Sequence, residues 1–259
     1  MLKKNLVDAR DAFKDKSKEA SIRAHEAKHE PHNDQGKYLK SLIYGGLDGI
    51  ITTFAVVAGV AGASLNMGVV LILGFANLIA DGLSMAIGDY LSTKAENEYQ
   101  QIERERETWE VEHYPEGEKK EMMGIYTSKG MNKEDAHSMV EILSRNKETW
   151  ISVMMAEELG IVEAEESPIK NAVVTFISFL VFGFIPLGAY VLSLFIASME
   201  SWTFIIACIL TATTLFILGA LKVKVTMKNW FKSGLEMLIV GGVAAIAAFL
   251  IGKVLSGLA

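Results

Sequence analysis

Asn77, Asp81 and Met85 fall at i, i+4 and i+8 in an apolar run without proline, so on a helix they line one face. An ionisable side chain at membrane depth is costly and usually marks a pathway. A carboxamide, a carboxylate and a thioether on one stripe offer ligands to a metal cation of intermediate softness. The same stripe also fits a polar contact between packed helices, and spacing alone leaves both readings open. Asp48 is a second carboxylate in an apolar run, close enough to its end for water to reach it.

A further set lies in the middle of the chain. Glu103, Glu107 and Glu110 recur at i, i+4 and i+7, Glu118 and Glu121 at i and i+3, and Met154 and Glu158 at i and i+4, with Trp150 one turn earlier. Like charges on one helix face destabilise it by roughly 0.2–0.5 kcal/mol per pair unless a cation joins them. Carboxylates suit Mg, Ca, Mn or Fe(II), and a methionine sulfur tilts the choice toward Fe(II) or Mn. No countercharge for the cluster is obvious. An acidic run is more often a solvated helix face, and that reading stands beside the metal-binding one.

Two other patterns carry chemistry of their own. Glu110 with His113, and Glu134 with His137, both read E-x-x-H, the signature of ferritin-like di-iron bundles. A membrane-anchored ferroxidase is thus an alternative, although Pro115 interrupts one motif almost at once and few long apolar-striped helices are in reach. His25-Glu26-Ala27-Lys28-His29 matches H-E-x-x-H, in which two histidines hold zinc beside a general base. So short and polar a tail cannot build a protease around it, so a solvated helix is expected there.

The elements that must position these residues are of two kinds. Of 259 residues, 51% are hydrophobic, gathered into runs nearly free of charge. Five of them reach the roughly 20 residues needed to span a bilayer. The expected spans are about 39–65, 69–91, 169–197, 202–221 and 235–255. The fold class is therefore an all-α integral membrane protein of five transmembrane helices, with an acidic helical domain inserted between helices 2 and 3, a metal-binding domain in the reading that the resemblance below implies. The expected division is a charged tail (1–37), helices 1–2 (38–93), the acidic domain (94–166) and helices 3–5 (167–259). The acidic domain holds 18 Glu and one Asp against nine Lys and Arg, a balance of −10 where the whole chain has −6. Few Gly or Pro interrupt it. It reads as an extension of span 2 to about 113, a short helix over 116–129 and a helix pair over 133–160, with Asn132 as N-cap and Gly160 as C′ residue. The single Cys208 rules out a disulfide framework or a Cys-rich metal site. No signal-peptide core precedes the first span, which would act as its own insertion signal. Lys37, Lys40, Lys94, Lys170 and the loop with Lys222, Lys224, Lys228 and Lys232 fall on one side. The positive-inside rule then places the tail and the acidic domain in the cytosol and the C-terminus outside, in a plasma or organellar membrane. Acidic balance leaves no footprint for nucleic acid.

From about Tyr38 onward the chain resembles the vacuolar iron transporters, which carry divalent iron and manganese. The resemblance rests on Asp48-Gly49 with Phe54-Ala55, on Ser84-Met85 and Tyr90-Leu91 with Lys94 and Glu96, on Trp150 with Met154-Met155 and Glu158-Leu159-Gly160, and on Gly183-Phe184-Ile185-Pro186-Leu187. It implies a homodimer of five-span subunits with the path at the dimer interface. It implies Asp48 and Met85 as path residues. A family Glu falls at Asn77, a departure that leaves Asp81, one turn closer to Met85, to supply the carboxylate. It also implies metal binding by Glu107, Glu110, Glu118, Glu121, Met154 and Glu158, and exchange of metal against protons. The resulting expectation is a transporter, not an enzyme, without prosthetic group. It would move Fe(II) first and Mn(II) second out of the cytosol through a lipid bilayer. A ferroxidase, or a metal-binding receptor without flux, are the alternatives.

Overall fold

A computed structural model describes residues 39–162, 166–226 and 229–258. The tail with His25, Glu26 and His29, together with Lys37 and Lys228, lies outside the described residues.

The described chain is helical, and its order is α1 (Leu39–Gly62), α2 (Met67–His113), α3 (Pro115–Ser128), α4 (Lys133–Leu143), α5 (Lys147–Glu157), α6 (Pro168–Ser193), α7 (Thr203–Thr226) and α8 (Trp230–Leu255). Short 3₁₀ turns cover Ala197–Trp202 and Ser256–Leu258. Among the described residues five helices are long and apolar enough to cross a membrane: α1, α2, α6, α7 and α8. Their outward faces carry Ile72, Ile79, Ile87, Ile177, Ile209 and Val243, all more than half or nearly half exposed, as lipid-facing residues should be.

Helix starts follow local chemistry. Asn66, Asn132 and Asn146 each accept a hydrogen bond from a backbone N–H three residues on, at 3.1, 2.8 and 2.9 Å. Pro115 and Pro168 open α3 and α6, where a missing N–H costs nothing. The α1–α2 turn is tight, and Ser64 sits at φ 57° within it. The expected C′ glycine is shifted. Helix α5 stops at Glu157, and Gly160 takes φ 68° two residues beyond the cap Glu158, while the Ile161 N–H bonds the Met155 carbonyl at 2.8 Å. Span 4 also runs further than expected. Helix α7 continues through Lys222 and Lys224 to Thr226, so the basic segment is partly helical rather than a loop.

Helix α1 packs on all four other spanning helices, α6 packs on α1, α2 and α7, and α8 packs on α1 and α7. Small residues set the α1–α6 approach. A Cβ added at Gly49 would lie 2.5 Å from the Phe179 carbonyl, and one at Gly183 would lie 2.8 Å from the Gly49 carbonyl. Phe54, Val57, Leu78, Phe179 and Leu187 form the core there, with Met85 packed against it.

The acidic domain has a separate core. Val111 of α2, Met122 and Tyr126 of α3, Ala136 and Val140 of α4, and Trp150, Ile151, Met154 and Met155 of α5 close together. Ion pairs tie its helices: Arg104 to Glu148 at 2.7 Å, Lys119 to Glu141 at 3.0 Å, and also Lys147 to Glu112 and Lys129 to Glu157.

Candidate functional site

Helix α2 runs without a break from the apolar stripe into the acidic domain, so it positions residues in both. At its far end the 3.6-residue repeat turns Glu103, Glu107 and Glu110 to one side. Val111 on the same helix enters the domain core, which draws that side inward. Glu107 is 0% exposed, and neither of its carboxylate oxygens has a hydrogen-bond partner among the described residues. The first turn of α3 adds Glu118, which is 5% exposed and has its Oε2 unpartnered. Oxygens of Glu107, Glu110 and Glu118 all lie within 4.8 Å of one another. Glu118, Glu121 and Glu158 form a second such group within the same 4.8 Å limit. The two groups share Glu118, so one carboxylate stands between two places where a cation would meet three oxygens.

Electrostatics follow from that crowding. Burial pushes the Glu107 carboxyl up to about 7, with repulsion from Glu158, Glu118 and Glu110 adding to it and Arg106 offsetting part. Burial likewise pushes Glu118 up to about 7, helped by Glu121, Glu110 and Glu158. Glu158 is also raised, by burial first and then by Glu121 and Glu110. A buried carboxylate without a partner costs several kcal/mol, so it takes a proton or a cation. At neutral pH Glu107 and Glu118 are poised between the two. Three or more hard oxygens at such spacing suit a divalent cation.

Sequence spacing anticipates all five glutamates, and the structure brings them together. It misses their countercharge. Arg106 donates from Nε to Glu110 at 3.3 Å and from Nη1 to Glu103 at 3.4 Å, so the expectation of a cluster without a cation is corrected. The signal was present, because Arg106 stands three residues after Glu103 and four before Glu110. Met154 is fully buried in the domain core, one turn before Glu158, whose N–H bonds the Met154 carbonyl at 2.9 Å. Trp150 is buried nearby in the same core, and its indole N–H has no partner. Neither E-x-x-H histidine joins the carboxylate groups. His113 stacks on Trp109 at 4.6 Å between centroids with its Nδ1 2.8 Å from the Trp109 carbonyl, and His137 is exposed on α4.

In the membrane portion Asp48, Asn77, Asp81 and Met85 are all half-buried. Helices α1 and α2, which carry Asp48 and Asp81, pack together. The Asn77 side-chain nitrogen is sealed from solvent and unpartnered. Three hydrogen bonds lie outside the sequence reading. Thr175 of α6 donates to the Asp89 carboxylate, and Asn171 Nδ2 donates to Thr93 Oγ1 at 3.1 Å and to Glu166 Oε2 at 2.9 Å. The first two tie α6 to the stretch of α2 that links stripe and acidic domain, and the third ties α6 to the segment just before it. Their only trace in the sequence is a polar residue every fourth position at the start of span 3.

Comparison with known proteins agrees with this architecture. The model for the VIT family matches residues 39–253. A protein of Toxoplasma gondii named vacuolar iron transporter is 40% identical over 268 residues, covering 97% of this chain and 89% of that protein. One of the same name from Plasmodium falciparum is 39% identical over 267 residues, covering 98% of each. Vacuolar iron transporter 1 of Arabidopsis thaliana is 31% identical over 226 residues, covering 87% of this chain and 89% of its own.

Proposed function

The chain belongs to the VIT family, and from that premise we propose that it carries Fe(II), and Mn(II) as second cargo, out of the cytosol in exchange for protons. Metal-ion transport across a membrane by a multi-pass protein is the part the family itself supplies. The carrying observation for the rest is Glu107: a carboxylate wholly out of water, both oxygens unpartnered, within 4.8 Å of Glu110 and Glu118. Such a group has a use only if a cation or a proton completes it.

In this reading the acidic domain lies in the cytosol and collects ions by its field. Glu107, Glu110, Glu118, Glu121 and Glu158 bind them, with Met154 as the soft ligand. Ions then pass to Asp48, Asp81 and Met85, Asn77 lining the same stripe. Two subunits enclose the path at a homodimer interface. Metal ligands must be deprotonated, so protons arriving from the far side weaken the carboxylates and release the ion. No covalent step is involved, and the metal is cargo.

Purified protein in liposomes tests this directly. Fe(II) should cross the membrane, and an acidic far side should speed its movement toward that side. Binding without flux would mark a receptor instead. Oxygen consumption on adding Fe(II), in place of flux, would mark a ferroxidase.

A further inference from the structure

Arg106 pairs with a member of the carboxylate groups themselves. Arg104, Lys119, Lys129 and Lys147 each pair with a glutamate on a different helix, which is packing. Arg106 instead pairs along α2 itself, at 3.3 Å with Glu110 and 3.4 Å with Glu103. Glu110 belongs to the first carboxylate group, and Glu107 beside Arg106 is one of its two buried members. The Arg106 side chain is 57% exposed, so solvent screens both pairs and either is easily broken.

We propose that Arg106 is a tethered competitor for the metal: its guanidinium bridges Glu103 and Glu110 until an arriving divalent cation displaces it from Glu110, after which Glu103 alone retains it. This rests on the reading of the acidic domain as a metal collector. A collector that must also hand ions on cannot hold them too tightly. A positive charge kept beside the site weakens binding and returns to Glu110 as the ion departs. Arg106 is thus a positioning residue for Glu110 and not itself a ligand.

The test titrates Mn(II) alone into the full-length protein in detergent, at low salt, by calorimetry. Arg106→Gln should bind Mn(II) on the order of threefold to tenfold more tightly at unchanged stoichiometry. Arg106→Lys, which keeps the charge, should stay within about twofold of the parent. Lys119→Gln makes the same change of net charge at a base held by Glu141, and should move affinity far less. In about 1 M salt the gain in Arg106→Gln should vanish, because the screening length falls to roughly 3 Å. Unchanged or weaker binding in Arg106→Gln would overturn the inference, and so would an equal gain in Lys119→Gln or in Arg106→Lys. A parent protein that binds no Mn(II) or Fe(II) would instead remove the collector reading itself.

Discussion

Glu107 holds a position that water and hydrogen bonds both avoid, and this decides how the acidic domain responds to pH and to metal. Glu118 is shared by both carboxylate groups. Glu118→Gln should therefore lower the metal count in calorimetry by more than Glu110→Gln or Glu121→Gln does. Replacing Glu107 and Glu121 together should remove ligands from both groups, and an unchanged stoichiometry would exclude them as ligands. The pH response has a definite sign. Folding raises the Glu107 and Glu118 carboxyls to about 7 from an ordinary 4.5, so the folded state holds their protons more tightly. Without metal, stability is lost as pH rises from 4.5 through 7, and the protein should melt higher at pH 5.5 than at pH 8. With saturating Mn(II) the order should reverse, because only the deprotonated carboxylates bind it. Metal-free melting that is flat over this range would contradict the buried-carboxylate account. Spacing alone places Glu103, Glu107 and Glu110 on one face, yet it cannot tell that Glu107 is sealed while Glu103 is tied to Arg106. That difference comes from Val111, Met122 and Trp150 closing over one side of α2, which is tertiary packing with no local signal.

At the scale of elements, α2 matters most, because one unbroken helix carries Asn77, Asp81 and Met85 at one end and Glu107 and Glu110 at the other. The absence of proline and the long helical pattern make that continuity legible from the sequence alone. Helix ends are legible to within a few residues wherever a cap is present, as at Asn132, and less so where only glycine marks the stop, as at Gly160. The close approach of α1 and α6 is not legible. Gly49 faces the Phe179 carbonyl, and nothing in the sequence says which of the many glycines meets backbone. The contrast is testable. Gly49→Ala must push a carbonyl aside and should lower the melting temperature in detergent, at a cost of about 1–3 kcal/mol. At Gly124, in the middle of α3, no atom lies within 4 Å of the place an alanine methyl would take. Gly124→Ala should thus raise stability by about 0.5–1 kcal/mol. If both behaved alike, packing of α1 on α6 would not be as described.

For the molecule as a whole, apolar runs long enough to span a bilayer make the five-helix plan readable, since lipid leaves the backbone few alternatives. The polar ties of α6 to α2, through Thr175 with Asp89 and Asn171 with Thr93, were not readable, because each pairs residues far apart in the chain. The central claim is that acids and a sulfur stand at membrane depth because a cation crosses there. Fe(II) flux into liposomes, compared between the parent chain and Asp81→Ala, tests it most directly. The account predicts rapid flux in the parent, loss of flux in Asp81→Ala, and metal binding by the acidic domain retained in both. Flux in Asp81→Ala equal to that of the parent would contradict it.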